Sequence, residues 1–560
     1  MKQLIECVPN FSEGNDMSII KQITQQIESV EGVKLLDVDP GKATNRTVVT
    51  FVGEPDAVVE AAFLAIQKAA ELIDMSKHTG EHPRMGATDV CPFIPIANIT
   101  MEETVEYSKK LAKKVGEALD ISVFLYESSA TDSRWKNLAN IRSGEYEKMA
   151  SKLQTPTFNP DFGPKKLHVR AGVTAIGARD FLIAYNVNLN TTSVRRANAV
   201  AFDVREAGRV LREGDPITGK IKRDADGEAV RVAGSCKAVK GIGWYIEEYG
   251  VAQVSMNLTD IKATPLHKAF EACCLSANAR GMRVTGSELV GLMPLQVMLD
   301  AGKYFLKQQN RSTGVDEAEI IKIAVKTMGL DELSPFDPKK KIIEYLLAED
   351  EHTPLLDMDL RAFANETASE SPAPGGGSIA AYVGVLGVSL ATMVANLSSH
   401  KRGWDARWEE FSDYAAEGQV FKDKLLHLVD EDTKSFNGIM DSFKLPKGSD
   451  AEKAARSAAI QSATKYAVEV PLQVMQTALA TLPLIKLMAT IGNPNSITDA
   501  GVGAMCARTA VYGAYLNVKI NLGGLKDQAY VQKIEAEANE LLQKAMEMEA
   551  AVLVLVEAAM

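Results

Sequence analysis

Two of the seven histidines in this sequence, His78 and His82, lie within five consecutive positions of one polar stretch, residues 74–96, called here the histidine segment. Charged residues flank them: Glu81, Arg84 and Asp89. A histidine titrating near neutrality can act as a general acid or base while a neighbouring carboxylate fixes its tautomer. The pattern therefore indicates proton transfer. The structural alternative is that His78 caps the preceding helix and His82 forms hydrogen bonds with carbonyl groups of the loop.

A carboxylate that could orient such a histidine is expected at the end of a neighbouring strand. Asp37 and Asp39 end the apolar run 35–38, and strand ends are common ligand-binding positions in folds that alternate strands and helices. Either residue is a candidate on this argument.

Residues 161–172, called the cationic segment, form a second candidate site. Lys165, Lys166 and Arg170 lie among glycines where two α+β units would join. A groove lined by these cations would suit a ligand with several carboxylates. An ordinary solvated linker is the structural alternative.

The last third of the chain holds two further candidates. The run Pro374-Gly-Gly-Gly-Ser378 opens an apolar helix, so its backbone N–H groups could bind an anion or a heterocycle edge, or the glycines could serve as a hinge. In the predicted helix that follows, Asp430, Glu431 and Asp432 are consecutive, which turns at least one carboxylate towards apolar neighbours. A buried carboxylate has a raised pKa and can act as a base, whereas an exposed acidic patch is the commoner case.

Strands and helices alternate through the first half of the chain. The order strand, helix, strand, strand, helix, strand is predicted twice, before and after residue 180, which indicates two α+β sandwiches of ferredoxin-like type. The second unit is predicted to contain a helix at residues 193–211, and the charged stretch 212–237 an inserted hairpin or loop. From residue 330 onwards the sequence is rich in Ala and Leu, and six helices with short connections predict an all-α bundle. The predicted domains are therefore residues 1–179, 180–328 and 356–560, with a linker at 329–355.

Composition narrows the class of protein. The net charge of −11 excludes a globally basic surface for nucleic acid. The six cysteines have no metal-ligand spacing and no CxxC pair, so we expect free thiols in a reducing compartment, the cytoplasm. Residues 379–397 carry no charge and are nearly long enough to span a bilayer, but we expect a helix buried in a bundle or subunit interface.

Several motifs resemble a known family. The runs Glu6-Cys-Val-Pro-Asn-Phe-Ser-Glu-Gly14, Thr44-Asn-Arg-Thr47, the histidine segment and Gly241-Ile-Gly-Trp-Tyr245 resemble the formiminotransferase domain. The runs Ala373-Pro-Gly-Gly-Gly-Ser378 and Leu428-Val-Asp-Glu-Asp432 resemble the cyclodeaminase domain. Together they cover nearly the whole chain in the order of the bifunctional formimidoyltransferase-cyclodeaminase family.

The resemblance implies roles for particular residues. His82 would be the catalytic residue of formimino transfer, Asp39 its supporting carboxylate, and Asp432 the proton acceptor of the cyclodeaminase; the role of His78 stays unassigned. The implied folate-binding residues are Gly163, Pro164, Lys165, Lys166, Leu167, His168, Val169, Arg170, Ala171 and Gly172. Gly375, Gly376, Gly377 and Ser378 are added as candidate binding residues of the second site.

The implied chemistry is a step of histidine degradation. The formimino group of N-formimino-L-glutamate would move to N5 of tetrahydrofolate, a co-substrate expected to be polyglutamylated, and N10 would then close the ring with release of ammonia to give 5,10-methenyltetrahydrofolate. No metal, nicotinamide, nucleic acid or membrane is expected to take part. The family implies a homo-oligomer, possibly an octamer, with paired helical domains. Two alternatives stay open: a transferase whose helical half only dimerises, and a folate-binding scaffold without turnover.

Overall fold

The structure is a computed structural model that describes residues 3–42, 44–214, 219–348 and 354–560. Two compact units divide the chain. The first contains Met1–Ala301 and Ala324–Ala348, and the second contains Gly302–Ile323 and Glu349–Met560. The first is mixed α/β and the second is helical, as the sequence predicted in outline.

The first sheet of the α/β unit has seven strands, in the order β1-β4-β2-β5-β7-β6 with β3 paired to β4. The strands are β1 (Leu4–Cys7), β2 (Asn10–Phe11), β3 (Val33–Gly41), β4 (Arg46–Gly53), β5 (Thr88–Ala97), β6 (Ser122–Glu127) and β7 (Val173–Ala178). Strands β1 to β5 pair antiparallel, whereas β7 pairs parallel to both β5 and β6. No strand was predicted at β5, which lies within the histidine segment, or at β7, so this sheet extends beyond the predicted sandwich.

Apolar helices cover this sheet. They are α1 (Met17–Glu28), α2 (Pro55–Leu72), α3 (Met101–Leu119), α4 (Leu138–Arg142) and α5 (Glu145–Leu153). Buried positions recur at helical spacing, for example Val59, Ala62 and Ile66 on α2, and these side chains pack against β1 and β5. Helix α2 ends just before the histidine segment, so the core that fixes α2 also fixes where that segment begins.

The second sheet of this unit has the order β13-β14-β8-β15, with all neighbours antiparallel. Its strands are β8 (Ile183–Leu189), β13 (Val239–Ile246), β14 (Val251–Leu258) and β15 (Val284–Val290). Helices α6 (Val194–Val204) and α7 (Leu266–Asn278) pack on one face, α6 against β13 and β14 and α7 against β8 and β15. Tyr185, Val187 and Leu189 of β8 are fully buried. The opposite face carries Asn186 and Asn188 and is polar.

The stretch after α6 corrects two expectations. The helix predicted over residues 193–211 ends at Val204, because the backbone of Arg205 is extended (φ −62°, ψ 145°). The chain then turns at Gly208, whose φ is +60°. Short two-residue strands follow: β9 (Arg209–Val210), β10 (Arg212–Glu213), β11 (Lys220–Ile221) and β12 (Arg231–Val232). They pair as β9 with β12 and β10 with β11, so the charged stretch is a nested hairpin. Residues 215–218 within it lie outside the described residues.

Helices α8 (Leu295–Gln308) and α9 (Glu317–Met328) were not predicted, and the segment between them groups with the helical unit. There the carbonyl oxygen of Gly314 accepts hydrogen bonds from Asn396 Nδ2 (2.8 Å) and Gln419 Nε2 (3.0 Å). The predicted linker contains α10 (Pro338–Lys341) and α11 (Ile343–Ala348), which group with the α/β unit. Residues 349–353 of that linker lie outside the described residues.

Six helices build the rest of the helical unit: α12 (Leu360–Thr367), α13 (Gly376–Ser399), α14 (Trp408–Lys444), α15 (Asp450–Ile491), α16 (Ile497–Leu522) and α17 (Gln528–Ala559). Helices α13 to α16 pack closely around an Ala- and Val-rich core. Small residues let α13 and α16 approach each other: a Cβ built on Gly387 would lie 2.9 Å from the carbonyl oxygen of Gly503.

Among the described residues, two helices are long and apolar enough to cross a membrane by length and composition, α13 and α15. More than half of the most apolar stretch of each is buried inside the protein. Core helices of bundles share this property, so the two helices are weak evidence for insertion.

Candidate active sites

His82 lies half-buried in the first part of the histidine segment, residues 74–87, which connects the end of α2 to the start of β5. Its Nδ1 is 2.7 Å from the carbonyl oxygen of Pro83. Because a carbonyl oxygen only accepts, Nδ1 carries the proton and Nε2 keeps a lone pair. Burial, together with the positive charges of Arg46 and Arg142, lowers the pKa of His82 to about 3. At neutral pH the ring is therefore a neutral imidazole with Nε2 available as a base.

Asp89 joins the two arginines that surround His82. One oxygen of this fully buried carboxylate accepts from Arg46 (2.5 Å) and Arg142 (2.6 Å), and the other accepts from the backbone N–H of Met85 (3.0 Å). Burial alone would raise the pKa of Asp89, but the two arginines outweigh it and hold the pKa at about 2. Two cations share one anion here, which leaves a net positive charge beside His82. Arg142 Nε is buried without a hydrogen-bond partner among the described residues.

His78 has a different environment from His82. Its Nε2 lies 2.9 Å from the carbonyl oxygen of Asn45, and its Nδ1 accepts from Arg84 Nε (3.3 Å). Arg84 is in turn paired with Glu145 and Glu147 of α5. Both ring nitrogens of His78 are thus occupied in holding the loop. This geometry supports the choice of His82 as the residue that reacts.

Asp39 lies on β3 and contacts the second subdomain. Its Oδ2 accepts a 2.9 Å hydrogen bond from the backbone N–H of Gly291, just beyond β15. Asp37, two positions earlier, faces Lys341 at 3.7 Å, and burial raises its pKa. The described contacts of Asp39 and Asp37 do not include His82. The geometry therefore does not support the prediction that an aspartate of this strand orients the histidine. The carboxylate beside His82 is Asp89.

The cationic segment runs directly alongside the histidine segment. Ala87 N–H donates to the carbonyl oxygen of Ala171 (2.8 Å), Met75 N–H donates to that of Arg170 (2.9 Å), and Gly86 bridges to Gly172. A Cβ on Gly172, whose φ is +72°, would lie 2.3 Å from the carbonyl oxygen of Met85. The segment predicted to bind folate therefore packs against the loop that carries His82, a proximity that the sequence did not reveal.

The cations of this segment are less free than the sequence suggested. Lys165 Nζ donates to the carbonyl oxygen of Thr155 (2.8 Å), and Arg170 donates to that of Glu71 (3.0 Å). The Lys166 ammonium group has no hydrogen bond or ion pair among the described residues, and the Val169 side chain is 63% exposed. Of the three predicted anion-binding side chains, Lys166 is the one that needs no rearrangement to meet a ligand.

Asp432 belongs to α14, and its side chain lies against the first turn of α13. Its Oδ2 accepts from Ser378 Oγ at 3.1 Å, and a Cβ built on Gly377 would lie only 2.1 Å from its Oδ1. The glycine run therefore leaves room for a carboxylate at the positive end of a helix. Burial raises the pKa of Asp432, although hydrogen bonds from the side chain and backbone of Ser378 oppose the rise. A raised pKa makes this carboxylate a stronger base than an exposed one, so it can accept a proton from a reacting nitrogen.

The other two carboxylates of the acidic run have structural partners. Asp430 is buried and accepts from the backbone N–H groups of Leu355 (3.0 Å) and Leu356 (3.3 Å). Glu431 accepts from the hydroxyl of Tyr466 and pairs with Lys434. Of the three carboxylates, only Asp432 faces the glycine run. This geometry favours Asp432 over Asp430 as the candidate base.

Three asparagines of the helical unit, Asn493, Asn517 and Asn521, fall into two groups. Asn493 caps a short 3-10 helix, and Asn521 Nδ2 donates to the carbonyl oxygen of Ala467 (2.7 Å), so both are structural. Asn517 differs, because its amide lies 3.5 Å from the position of a Cβ on Gly376. Asn517 belongs to α16 and places its polar side chain beside the first turn of α13. Gly375 is the residue that caps this helix, without a side-chain hydrogen bond.

The fold and the two sites define a two-part enzyme, an α/β part with a neutral histidine base and a helical part with a buried carboxylate at a helix N-terminus. Models of three families match the chain: the formiminotransferase domain, N-terminal subdomain, at residues 4–179; the formiminotransferase domain at 184–348; and formiminotransferase-cyclodeaminase at 359–540.

Individual relatives agree with these matches. The formimidoyltransferase-cyclodeaminase of Dictyostelium discoideum is 42% identical over 98% of this chain and 97% of its own length. The glutamate formimidoyltransferase of Streptococcus pyogenes is 41% identical over 55% of this chain and 95% of its own length. A crystal structure of formiminotetrahydrofolate cyclodeaminase from Thermotoga maritima aligns with 36% of this chain and 98% of its own, at 25% identity and a TM-score of 0.33. The chain belongs to the formimidoyltransferase-cyclodeaminase family.

Proposed function

We propose that this chain catalyses two successive reactions on tetrahydrofolate in histidine degradation. It transfers the formimino group from N-formimino-L-glutamate to N5, and it then converts 5-formiminotetrahydrofolate to 5,10-methenyltetrahydrofolate and ammonia. The observation that carries this proposal is the match, over nearly its whole length, to relatives named for both activities. That match favours neither a transferase with an inert helical half nor a scaffold without turnover.

The first reaction uses the neutral His82. N5 of tetrahydrofolate attacks the amidine carbon of the donor, and Nε2 of His82 accepts the proton that N5 loses at the tetrahedral stage. The same ring then donates this proton to the glutamate nitrogen as the carbon–nitrogen bond to glutamate breaks. Arg46 and Arg142 share the single anion Asp89, so their remaining positive charge can bind a carboxylate of the substrate.

The second reaction uses Asp432. N10 attacks the formimino carbon held on N5, and the carboxylate accepts the N10 proton. It returns the proton to the departing nitrogen, which leaves as ammonia while the methenyl bridge forms. The raised pKa of Asp432 suits both steps, because the group must hold and release a proton within one turnover.

Residues 163–172 bind folate in this proposal. Their contact with the histidine segment supports it, since a folate lying along them would end beside His82. Lys166 would meet a carboxylate of the glutamate tail, and a polyglutamate tail would keep the intermediate near the enzyme between the reactions by raising its effective concentration. Gly375 to Ser378 would hold the second folate site together with Asp432.

The protein is proposed to be a cytoplasmic homo-oligomer, an octamer if it follows the family expectation. Exposed apolar side chains on two adjoining helices support subunit contact: Leu386, Met393 and Leu397 on α13, and Val502, Met505 and Leu516 on α16. The strand orders of the two α/β subdomains also support their description as ferredoxin-like, the first with β6 and β7 added and with its first strand divided into β1 and β2.

The direct test is incubation of the purified chain with formiminoglutamate and tetrahydrofolate. Absorbance by 5,10-methenyltetrahydrofolate and release of ammonia in equal amounts are expected. Absence of both products would contradict the enzyme proposal. Accumulation of 5-formiminotetrahydrofolate without ammonia would leave only the transferase.

A further inference from the structure

Arg142, the last residue of α4, keeps a donor that the protein does not use. Its Nη2 donates to Asp89 at 2.6 Å, and its Nε is buried without a hydrogen-bond partner among the described residues. Arg46, the other cation on this carboxylate, is held further, because its Nε also donates to Asn10 Oδ1 (3.0 Å). A buried guanidinium N–H without an acceptor costs free energy, so an acceptor from a ligand or from water is expected beside Arg142.

The backbone on both sides of Arg142 is fixed by a lysine of the next helix. Lys152 Nζ donates to the carbonyl oxygens of Ile141 (2.7 Å) and Ser143 (2.9 Å). The same ammonium group lies 4.2 Å from the centre of the Phe158 ring, which also holds it in place. The position of Arg142 is therefore built by the fold and does not depend on a ligand.

The turn that follows α4 is attached to the segment that carries His82. Tyr146 N–H donates to the carbonyl oxygen of Arg84 (2.9 Å), two positions after His82. Asp89 makes a second connection, because it accepts from Arg142 and lies in the same histidine segment. Arg142 thus belongs to the immediate surroundings of the proposed base.

The charges around His82 favour an anion at this position. Burial, Arg46 and Arg142 lower the pKa of His82, in that order of size, and Asp89 opposes them. Two guanidinium groups and one carboxylate leave one positive charge beside a neutral imidazole. Because Asp89 and Arg46 are buried, water screens this charge little. An anion bound there would also offset the charge that weakens His82 as a base.

The chemistry of the two substrates decides which carboxylate can reach this charge. The glutamate tail of tetrahydrofolate is separated from N5 by the p-aminobenzoyl group, so it cannot lie beside the histidine while N5 reacts there. The α-carboxylate of formiminoglutamate is attached to the same carbon as the nitrogen that bears the formimino group. The γ-carboxylate lies farther along a flexible chain. Covalent structure therefore keeps only the α-carboxylate close to the reacting carbon.

We propose that Arg142 binds the α-carboxylate of formiminoglutamate through its unpartnered Nε and so places the amidine carbon beside His82. This inference rests on the proposed transferase function and adds the residue that positions its donor. A hydrogen bond between a guanidinium and a carboxylate is charge-assisted, and the planar guanidinium also fixes the direction of the bound group.

The test measures transferase kcat/KM with three donors: formiminoglutamate, its α-carboxamide and its γ-carboxamide. In the parent enzyme the α-carboxamide should be poorer than formiminoglutamate by about tenfold to a hundredfold, the usual worth of a hydrogen bond to a charged group. In R142Q the value for formiminoglutamate should fall by a similar factor, and the α-carboxamide should lose little further. The effect of the γ-carboxamide should be the same in both enzymes. R134Q, which removes an exposed arginine paired with Asp132, is the matched control and should keep the parent's preference.

Equal use of formiminoglutamate and its α-carboxamide by the parent enzyme would overturn the inference. A folded R142Q that discriminates against the α-carboxamide as strongly as the parent would also overturn it. If R142Q does not fold, because Asp89 has lost one of its two cations, the comparison of donors in the parent enzyme decides alone. Failure of the proposed function is separate, since there the parent enzyme would form no product from formiminoglutamate itself.

Discussion

A methyl group placed on Gly377 would lie 2.1 Å from Oδ1 of Asp432, closer than any non-bonded contact allows. The absence of a side chain at the first turn of α13 is therefore a condition for the carboxylate to lie there. G377A should displace Asp432 and sharply reduce cyclodeaminase turnover, while transferase turnover is retained. Ammonia release from supplied 5-formiminotetrahydrofolate measures this. G438A on α14 is the control, because a Cβ there meets no atom within 4 Å.

Replacement of His82 by asparagine should remove the base of the first reaction. We expect transferase kcat to fall by about 10²- to 10⁴-fold, the usual worth of a general acid/base. H78N is the matched comparison: it disturbs the bonds to Asn45 and Arg84 and should lower stability more than the chemical step. Equal loss of kcat in the two variants, both folded, would argue against this division of roles.

The pH dependence of the transferase follows from the state of His82. Its pKa is lowered to about 3, so kcat/KM, which reports the free enzyme, should show no fall near pH 6.5 caused by histidine protonation. An acid limb near pH 6.5 that disappears in H82Q would contradict the assignment.

The same pKa shift has a consequence for stability. Between about pH 6.5, the usual pKa of histidine, and pH 3 the unfolded chain binds a proton that the folded chain excludes. Folding free energy attributable to His82 is thus fully present above pH 6.5 and is lost as the pH falls towards 3. Urea unfolding should show a steeper loss of stability over this interval for the parent than for H82Q.

Gly172 has a φ of +72°, and a Cβ there would meet the carbonyl oxygen of Met85 at 2.3 Å. G172A should strain the junction of the cationic and histidine segments, at a cost of about 1–3 kcal/mol in unfolding free energy. It should also raise the KM for tetrahydrofolate. G281A is a suitable comparison, since it carries the same backbone strain (φ +74°) in open space and away from either site.

The long helices of the fold could be predicted from the sequence, whereas the partners of the candidate site residues could not. Periodicity predicted α1, α2, α3 and the long helices of the bundle, because a continuous apolar face leaves a readable pattern. Periodicity did not predict β5, β7 or α8, and it placed the end of α6 seven residues too late. Pro92 and Pro95 weaken the strand signal of β5, and short buried strands and amphipathic helices beside Gly-rich turns carry weaker signals. The coarse α/β and helical division was nevertheless confirmed.

Arg142 shows why the site itself could be predicted only in part. It comes from the short helix α4, 53 positions after Asp89, and no local pattern marks it as a partner of that carboxylate. Asp39 illustrates the reverse case, since its strand end was visible but its contact with Gly291 depends on the packing of two subdomains. Residue type and spacing identify groups that can react, whereas the charges around them are set by tertiary structure.

The central claim is that one chain holds two separate sites and that Asp432 completes what His82 begins. The most direct measurement gives H82N and D432N the substrates of each reaction in turn. With formiminoglutamate and tetrahydrofolate, D432N should accumulate 5-formiminotetrahydrofolate without ammonia, and H82N should form nothing. With supplied 5-formiminotetrahydrofolate, H82N should form 5,10-methenyltetrahydrofolate at the parent rate. Full ammonia release by D432N, or failure of H82N on the supplied intermediate while it remains folded, would contradict the account.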